Sequence, residues 1–495
     1  MRPSRYTQRG AGALLLSASL CVLCSCSPWL AHRPPVIAPT ADRALTALPD
    51  GVAAAPLPDH WWRLYNDPEL DRLVQEALAH NRDLAAAQAH VQAMLAGISE
   101  RNAARWPSSQ LNAGASYGRS ADDQTLASAT QTRAPNRWEF NPGFELSYQL
   151  DVWGQVQHSI DQALAQADAA QAAEDLMRTT VAAQATRAYA MACAYAARAN
   201  VQRQSVQLLR HSQALTERQR LGGIATELEP TRMRALLAET EAQLPMLEAR
   251  RQAALFELAT LTGRSTLRQG DAGASCTAIP QLASALPSGD GWALIARRAD
   301  VRQAQRELQA ASLQVDIAQA DLYPKVTFGA SLSSSSHRIG QLGDSQSVMF
   351  AVGPLISWQF PNWQANRARV REAQAIEQGH TARFEASALV ALKQVHQALA
   401  LYDGERQRHT FLAQALADSR SAYNLAQLNY QAGALDFLDV LDSEREMVRL
   451  QATVADADAQ LIDRQVSLFQ ALGGGWQHAA ATTPATPAHP DGNPS

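Results

Sequence analysis

Gly114-Ala115-Ser116-Tyr117-Gly118 has the spacing of a nucleophile elbow, the motif that presents a serine to an acyl carbon. That chemistry needs a sharp strand-to-helix turn, because only there does the hydroxyl stand clear of the sheet. The residues around it alternate instead, with Leu111, Ala113, Ala115 and Tyr117 set against Asn112, Gly114, Ser116 and Gly118. Ser116 therefore falls on the polar face of a strand, and the match is one of chance. The twelve histidines show no zinc-ligand spacing, and no glycine-rich loop is built to cradle a phosphate. No catalytic residue, metal or cofactor is expected, and on this reading the chain is not an enzyme.

The thiol with chemistry of its own is Cys26. Arg2, Arg5 and Arg9 form a positive region before the apolar stretch 11–24, which has the length of an export-signal core. It ends in Leu23-Cys24-Ser25-Cys26, where small residues before a cysteine resemble the lipobox of bacterial lipoproteins. That resemblance implies removal of residues 1–25, with Cys26 lipidated by a diacylglycerol and left as the new N-terminus. Ser27 follows where an aspartate would signal inner-membrane retention, so the mature chain is expected in the outer membrane. Cys193 and Cys276 are the remaining thiols. The periplasm permits one bridge, but the alanine-rich helix around Cys193 points to a small packing residue.

The elements that must position these residues follow from composition. Apolar residues make up 46% and aromatics 6%, with a mean hydropathy of -0.24, and alanine is about a fifth of the chain. Alanine has the highest helix propensity and little side chain to bury, so long, closely packed helices are predicted rather than a thick core. A net charge of -4 gives no basic footprint, so nucleic acid is excluded as a partner. Beyond the export signal no apolar run approaches the ~20 residues that a membrane helix needs.

The chain is written twice. At an offset of about 217, Asp83 matches Asp300, Gln88 matches Gln305 and Pro107 matches Pro324; at about 210, Gly223 matches Gly433 and Gly263 matches Gly473. Each half reads helix, strand pair, very long helix, tight turn, helix. Strands are predicted at about 110–118 and 138–151, and again at 326–334 and 347–360. Trp138, Phe140, Phe144, Leu146, Tyr148 and Leu150 alternate with polar residues, as do Val326, Phe328, Ala330 and Leu332. Val348, Phe350, Val352, Ile356, Trp358 and Phe360 share one face of the last strand. Alternation alone fits either a half-buried soluble sheet or apolar-out barrel strands. The export signal, and the lack of a globular region for a sheet to cover, favour the barrel. Four strands cannot close a barrel and open edges are not tolerated in lipid, so an obligate oligomer of two, three or four chains is expected. Residues 155–222 hold no proline or glycine before their end, and span roughly 100 Å as a helix. Residues 364–433 are comparable, interrupted by Gly379 and Gly404 alone. At the first hairpin tip Gly223 ends a helix, Thr226 is its partner's N-cap and Glu229 completes a capping box; at the second, Gly433 ends the helix and Asp436 caps the next.

Together these features identify a resemblance to the outer-membrane factors of tripartite efflux pumps, the TolC-like family in its NodT-type lipoprotein branch. It covers residues 61–476. It rests on the lipobox cysteine, the doubled organisation, Trp61-Trp62-Arg63-Leu64-Tyr65-Asn66-Asp67-Pro68-Glu69-Leu70, Asp151-Val152-Trp153-Gly154 and Ala471-Leu472-Gly473-Gly474-Gly475-Trp476. The implied fold is mainly α with a membrane β-barrel: a homotrimer whose twelve-stranded outer-membrane barrel continues into a long periplasmic α-helical barrel. The implied function is a passive conduit exporting drugs or other small molecules across the periplasm and outer membrane. A periplasmic adaptor (membrane fusion protein) is expected at the tips, Gly223-Ile224-Ala225-Thr226 and Gly433-Ala434-Leu435-Asp436, with an inner-membrane pump of RND or MFS type supplying energy. The second tip departs from the family's Gly-Leu-x-Ser/Thr pattern. Leu438 and Asp442, one helical turn apart, match the family's periplasmic gate: an apolar constriction and an acidic ring favouring cations.

The resulting organisation is a signal peptide at 1–25, a lipid-anchored extension at 26–60, repeats at 61–280 and 281–476, and a disordered tail at 477–495, rich in alanine, threonine and proline. The alternative is a periplasmic coiled-coil scaffold or surface adhesin without a conduit. If Cys26 is the acylated residue, Cys26→Ser abolishes labelling with radioactive palmitate and slows or displaces signal cleavage. Unchanged palmitate incorporation in that variant rejects the assignment.

Overall fold

A computed structural model describes residues 52–53, 55, 57–223, 226–266, 276, 278–282, 286–287, 297–358 and 363–474. Cys26, the export signal, the tail at 477–495, Ile224, Ala225 and Phe360 lie outside the described residues. In chain order the helices and strands are α1 (Pro68–His80), α2 (Arg82–Ala103), β1 (Ser108–Gly118), α3 (Ala121–Thr130), β2 (Arg137–Leu150), α4 (Gln155–Leu221), α5 (Leu228–Leu261), α6 (Ala299–Ala320), β3 (Lys325–Ser334), β4 (Val348–Ser357), α7 (Trp363–Gln431) and α8 (Phe437–Ala471). The described residues divide into two compact units, one falling within 92–169 and 304–384, the other within 52–91, 170–303 and 385–474.

The first unit carries an antiparallel sheet of order β1-β2-β3-β4. Strand bounds fall within a few residues of the expected ones. Trp358 lies just past the last strand, where its indole donates to the Leu322 carbonyl at 3.2 Å. One helix was not foreseen: α3, between β1 and β2, starts where Ser120 accepts from the Asp123 amide. It is tied to β2 by Arg137 and Asp123 at 2.6 Å. At the other end of the sheet Trp153 stacks on Tyr323, ring centroids 4.8 Å apart, and donates to the Pro324 carbonyl. That contact gives the Asp-Val-Trp-Gly motif its physical sense.

In the second unit the motif at 61–70 folds around one residue. Asp67 caps α1 by accepting from the Glu69 and Leu70 amides, Pro68 sits at the first helical position, and the free oxygen of Asp67 accepts from the Tyr189 hydroxyl of α4 at 2.8 Å. Trp61 and Trp62 are fully buried, with Trp61 stacked on Phe469 at 4.5 Å. Removing one buried aromatic of this kind costs about 3–5 kcal/mol. The rest of this core is narrow: small residues of α4 such as Ala183, Ala185 and Ala192 pack against Leu258, Val466 and Phe469. Alanine lets those backbones approach, as the composition implied. Helix α4 runs unbroken for 67 residues and α7 for 69, straight through Gly379 and Gly404.

The duplication is visible as chemistry. Asn81 donates to the Leu261 carbonyl at the end of α5, and its counterpart Arg298 donates to the Ala471 carbonyl at the end of α8, at 2.7 Å. A left-handed glycine follows each carbonyl, Gly263 at φ +74° and Gly473 at φ +87°. A Cβ on Gly263 would lie 2.8 Å from the His80 carbonyl oxygen, so close approach adds to the backbone requirement.

The expectation for Cys193 is corrected. It is fully buried in the alanine-rich core, but it is bonded to Cys276 in a disulfide spanning 83 residues. Residues 194–275 between them include the whole α4–α5 tip, so the bond closes that hairpin at its base. Neighbouring alanines describe the packing of Cys193 but not which distant thiol reaches it. Under denaturing conditions, maleimide labelling of the exported protein should modify neither thiol until reductant is added, and then both. Cys193→Ala should leave Cys276 reactive without reductant and lower stability by about 2–4 kcal/mol. Two free thiols in the exported wild type would exclude the bridge.

Candidate functional site

Two surfaces can meet the demands of a membrane conduit: the two faces of the sheet and the two hairpin tips. On the sheet, register decides the faces, because directly paired residues point to the same side. Leu111 pairs with Phe144, Phe144 with Leu332 and Leu332 with Phe350; Tyr117 pairs with Trp138, Tyr148 with Phe328 and Val326 with Ile356. One face is thus apolar across all four strands, and it is open: Leu111 is 79% and Phe350 80% exposed. The opposite face pairs Gln110 with Glu145, Ser116 with Glu139, Glu145 with Ser331 and Gln149 with Thr327. Ser116 lies there as expected. On β4 this second face is less polar, with Met349, Ala351 and Leu355.

Both tips lie in the second unit. At the first, Gly223 takes φ +72° and its amide donates to the Arg220 carbonyl. Thr226 accepts from the Leu228 amide at 3.3 Å and donates its hydroxyl to Glu229 at 2.6 Å. The capping box therefore closes side chain to side chain, and that hydrogen bond holds the Glu229 carboxyl below its ordinary range. Helix α5 itself is registered one residue later than Thr226 implies, with Glu227 at the cap position. Glu227 carries a role unseen in the sequence: it pairs with Arg220 of α4 at 3.3 Å and Arg234 of α5 at 3.1 Å, bridging the turn. The i,i+3 pair Glu217–Arg220 was legible as spacing, and it lowers the Glu217 pKa through its hydrogen bond.

At the second tip Gly433 takes φ +76°, its amide donates to Tyr430 and the Ala434 amide donates back to Asn429. This is the Schellman arrangement, which gives two of the last carbonyls of a helix their partners. Ala434, Leu435 and Asp436 are exposed. Asp436 occupies the cap position in extended backbone, yet its side chain makes no cap hydrogen bond, which corrects its expected capping role. Its carboxylate is left outward. The last turns of α4 and α7 are joined by Gln219 donating to the Tyr430 hydroxyl at 2.7 Å, so the two tips stand side by side. Leu438 and Asp442 sit on the first turns of α8, both exposed. Among the described residues Asp442 pairs with no cation. It lines a cavity of about 710 Å³ together with Arg198, Gln202, Arg445 and Arg449.

The outer membrane efflux protein family matches residues 73–264 and 293–474. The chain is 31% identical to the pyoverdine export outer membrane protein OpmQ of Pseudomonas putida, over 94% of this chain and 98% of that one. It is 28% identical to outer membrane protein OprJ of Pseudomonas aeruginosa, over 94% and 96%. Among solved structures it is similar to the outer-membrane channel OprN, with a TM-score of 0.81 at 30% identity, covering 90% of this chain and 99% of OprN.

With the apolar face toward lipid, an arginine near the midplane costs about 2–4 kcal/mol. Phe144→Arg and Phe350→Arg should therefore lower the yield of assembled protein in outer-membrane fractions, while Gln149→Arg on the opposite face should not. Equal yields from both classes would reverse or abolish the assignment of faces.

Proposed function

This chain belongs to the outer membrane efflux protein family, and on that premise we propose that three copies close a twelve-stranded barrel and a periplasmic helical barrel around one conduit. It is the outer-membrane channel component of an efflux system, not a scaffold or adhesin. The single observation that carries closure by several copies is the sheet, with the number three taken from the family resemblance: its apolar face calls for hydrocarbon, while β1 and β4 have each one neighbour and so one unpaired edge. Unpaired backbone is not tolerated there, and pairing β4 of one copy with β1 of the next removes every edge. Acylation of Cys26 would add an anchor to a body already held in the membrane.

The tips are read as the docking surface for a periplasmic adaptor, which couples the conduit to an inner-membrane pump of RND or MFS type. The first tip offers helix ends tied together by Glu227 and its two arginines. The second offers Leu435 and the uncapped Asp436. Pyoverdine export by the OpmQ relative supports small molecules as cargo. Beside the second tip, Leu438 and Asp442 are read as the gate. In three copies the leucines make an apolar constriction, and the unpaired aspartates an acidic ring that favours cations.

The gate is tested by single-channel conductance of the purified oligomer. The double variant Leu438→Ala, Asp442→Ala should raise resting conductance and weaken cation preference, without lowering oligomer stability. A double variant as closed as wild type, and still oligomeric, removes both residues from the gate.

A further inference from the structure

Helices α4 and α8 run antiparallel, and polar rungs join them: Arg187 to Asp463 at 2.7 Å, Arg198 to Asp456 at 2.8 Å, Ser205 to Gln451 at 3.3 Å and Ser212 to Glu444 at 3.0 Å. In the first two rungs the carboxylate has an arginine, and in the third both groups are neutral. The fourth differs. Glu444 is 1% exposed, and among the described residues no lysine, arginine or histidine nitrogen lies within ion-pair reach of it. From α4 the group facing it is the Ser212 hydroxyl, which donates to it. From α7 it is Tyr423, buried, with a hydroxyl pushed up first by burial and then by the Glu444 charge. On its own helix the residues three and four positions away, Val440, Leu441, Met447 and Val448, are all buried and apolar, while Asp442, Arg445 and Glu446 are exposed.

An ionised carboxylate without a cation is costly in such a place, and the group answers by holding its proton. Burial raises the Glu444 pKa, and the Ser212 hydrogen bond offsets part of the rise. We propose that Glu444 is a proton-sensitive latch that seats the first three turns of α8 on α4 and α7. Protonated, it packs against Ser212 inside the seam. Ionised, it draws water in, and that end of α8 loosens. The seated state binds the proton more tightly than the loosened one. The latch is therefore fully held below the ordinary carboxylate pKa and is lost as pH rises through the raised one. Its bearing on export rests on the gate reading, because Leu438 and Asp442 ride on the same turns; the seating itself does not.

Hydrogen exchange of peptides within 437–450, measured in the assembled full-length protein from about pH 5 to 8 and corrected for intrinsic rate, reports that seating directly. Peptides from 240–260 of α5 serve as the reference. Wild-type protection should fall with rising pH, by up to about tenfold per unit between the ordinary carboxylate pKa and the raised one, and level off above it, while the reference stays flat. Glu444→Gln should give a flat profile at or above the wild-type low-pH level. Ser212→Ala should move the midpoint upward, because the lost hydroxyl favoured the ionised form. Flat wild-type protection, or a Glu444→Gln profile that still falls, overturns the latch. Should Glu444→Gln fail to assemble, an unmoved midpoint in Ser212→Ala overturns it equally. Conductance of the Leu438 and Asp442 double variant stands or falls separately, so the failure of the gate and of the latch are told apart.

Discussion

A backbone amide or carbonyl left unpaired in hydrocarbon costs several kcal/mol, whatever side chains surround it. In this protein β1 and β4 each present one such row, and the sheet between them carries an apolar face from Leu111 to Phe350. Among the described residues the remaining strand pairing is Val52–Ala53 with Leu286–Pro287, parallel and two residues long, which offers those edges nothing. The chain therefore presents a sheet suited to a bilayer but unable to complete itself there. Outer-membrane location, the doubled chain and the great length of the helices all belong to a protein whose membrane part is finished by another chain.

The helices solve a different problem. A bundle of narrow, alanine-rich helices gains little from burial per residue, since alanine has almost nothing to withdraw from water. Close backbone approach adds dispersion contacts, but alanine faces alone leave the sliding register poorly determined. Polar rungs supply it: Arg198, Ser205 and Ser212 stand one heptad apart on α4 and meet Asp456, Gln451 and Glu444 in turn. Each rung contributes modestly to stability. Together they allow one register, because a slip by one turn would strand every partner.

The two halves show the same geometry reached by different chemistry. At equivalent junctions a carbonyl at a helix end is met by Asn81 in one half and by the guanidinium of Arg298 in the other, where Asp300 and Gln394 complete the shell. Backbone position was retained while the donor changed. The hairpins have diverged further. The first is closed at its base by the Cys193–Cys276 disulfide and clamped at its tip by Glu227, whereas the second ends in an Asp436 that caps nothing. The half with fewer ties is the one that carries Leu438, Asp442 and Glu444.

Local periodicity made much of this legible without coordinates. Alternation from Trp138 to Leu150 assigned the strand faces, the absence of proline and glycine after Gln155 set the long helix, and Gly223 and Gly433 marked helix ends because few other residues tolerate positive φ. Family membership, too, was written in short motifs, and those at 61–70 and 151–154 each have a packing contact behind them. Other features depended on which faces meet. Cys276 reaching Cys193, Gln219 reaching Tyr430, Glu227 bridging two helices, and Glu444 left without a cation are all relations between residues distant in the chain or on different helices. Periodicity says which side of a helix is apolar. It does not say which neighbour that side faces, at what register, or whether a charge finds a partner there, because those are set by how whole helices pack, and packing is a property of the tertiary structure alone.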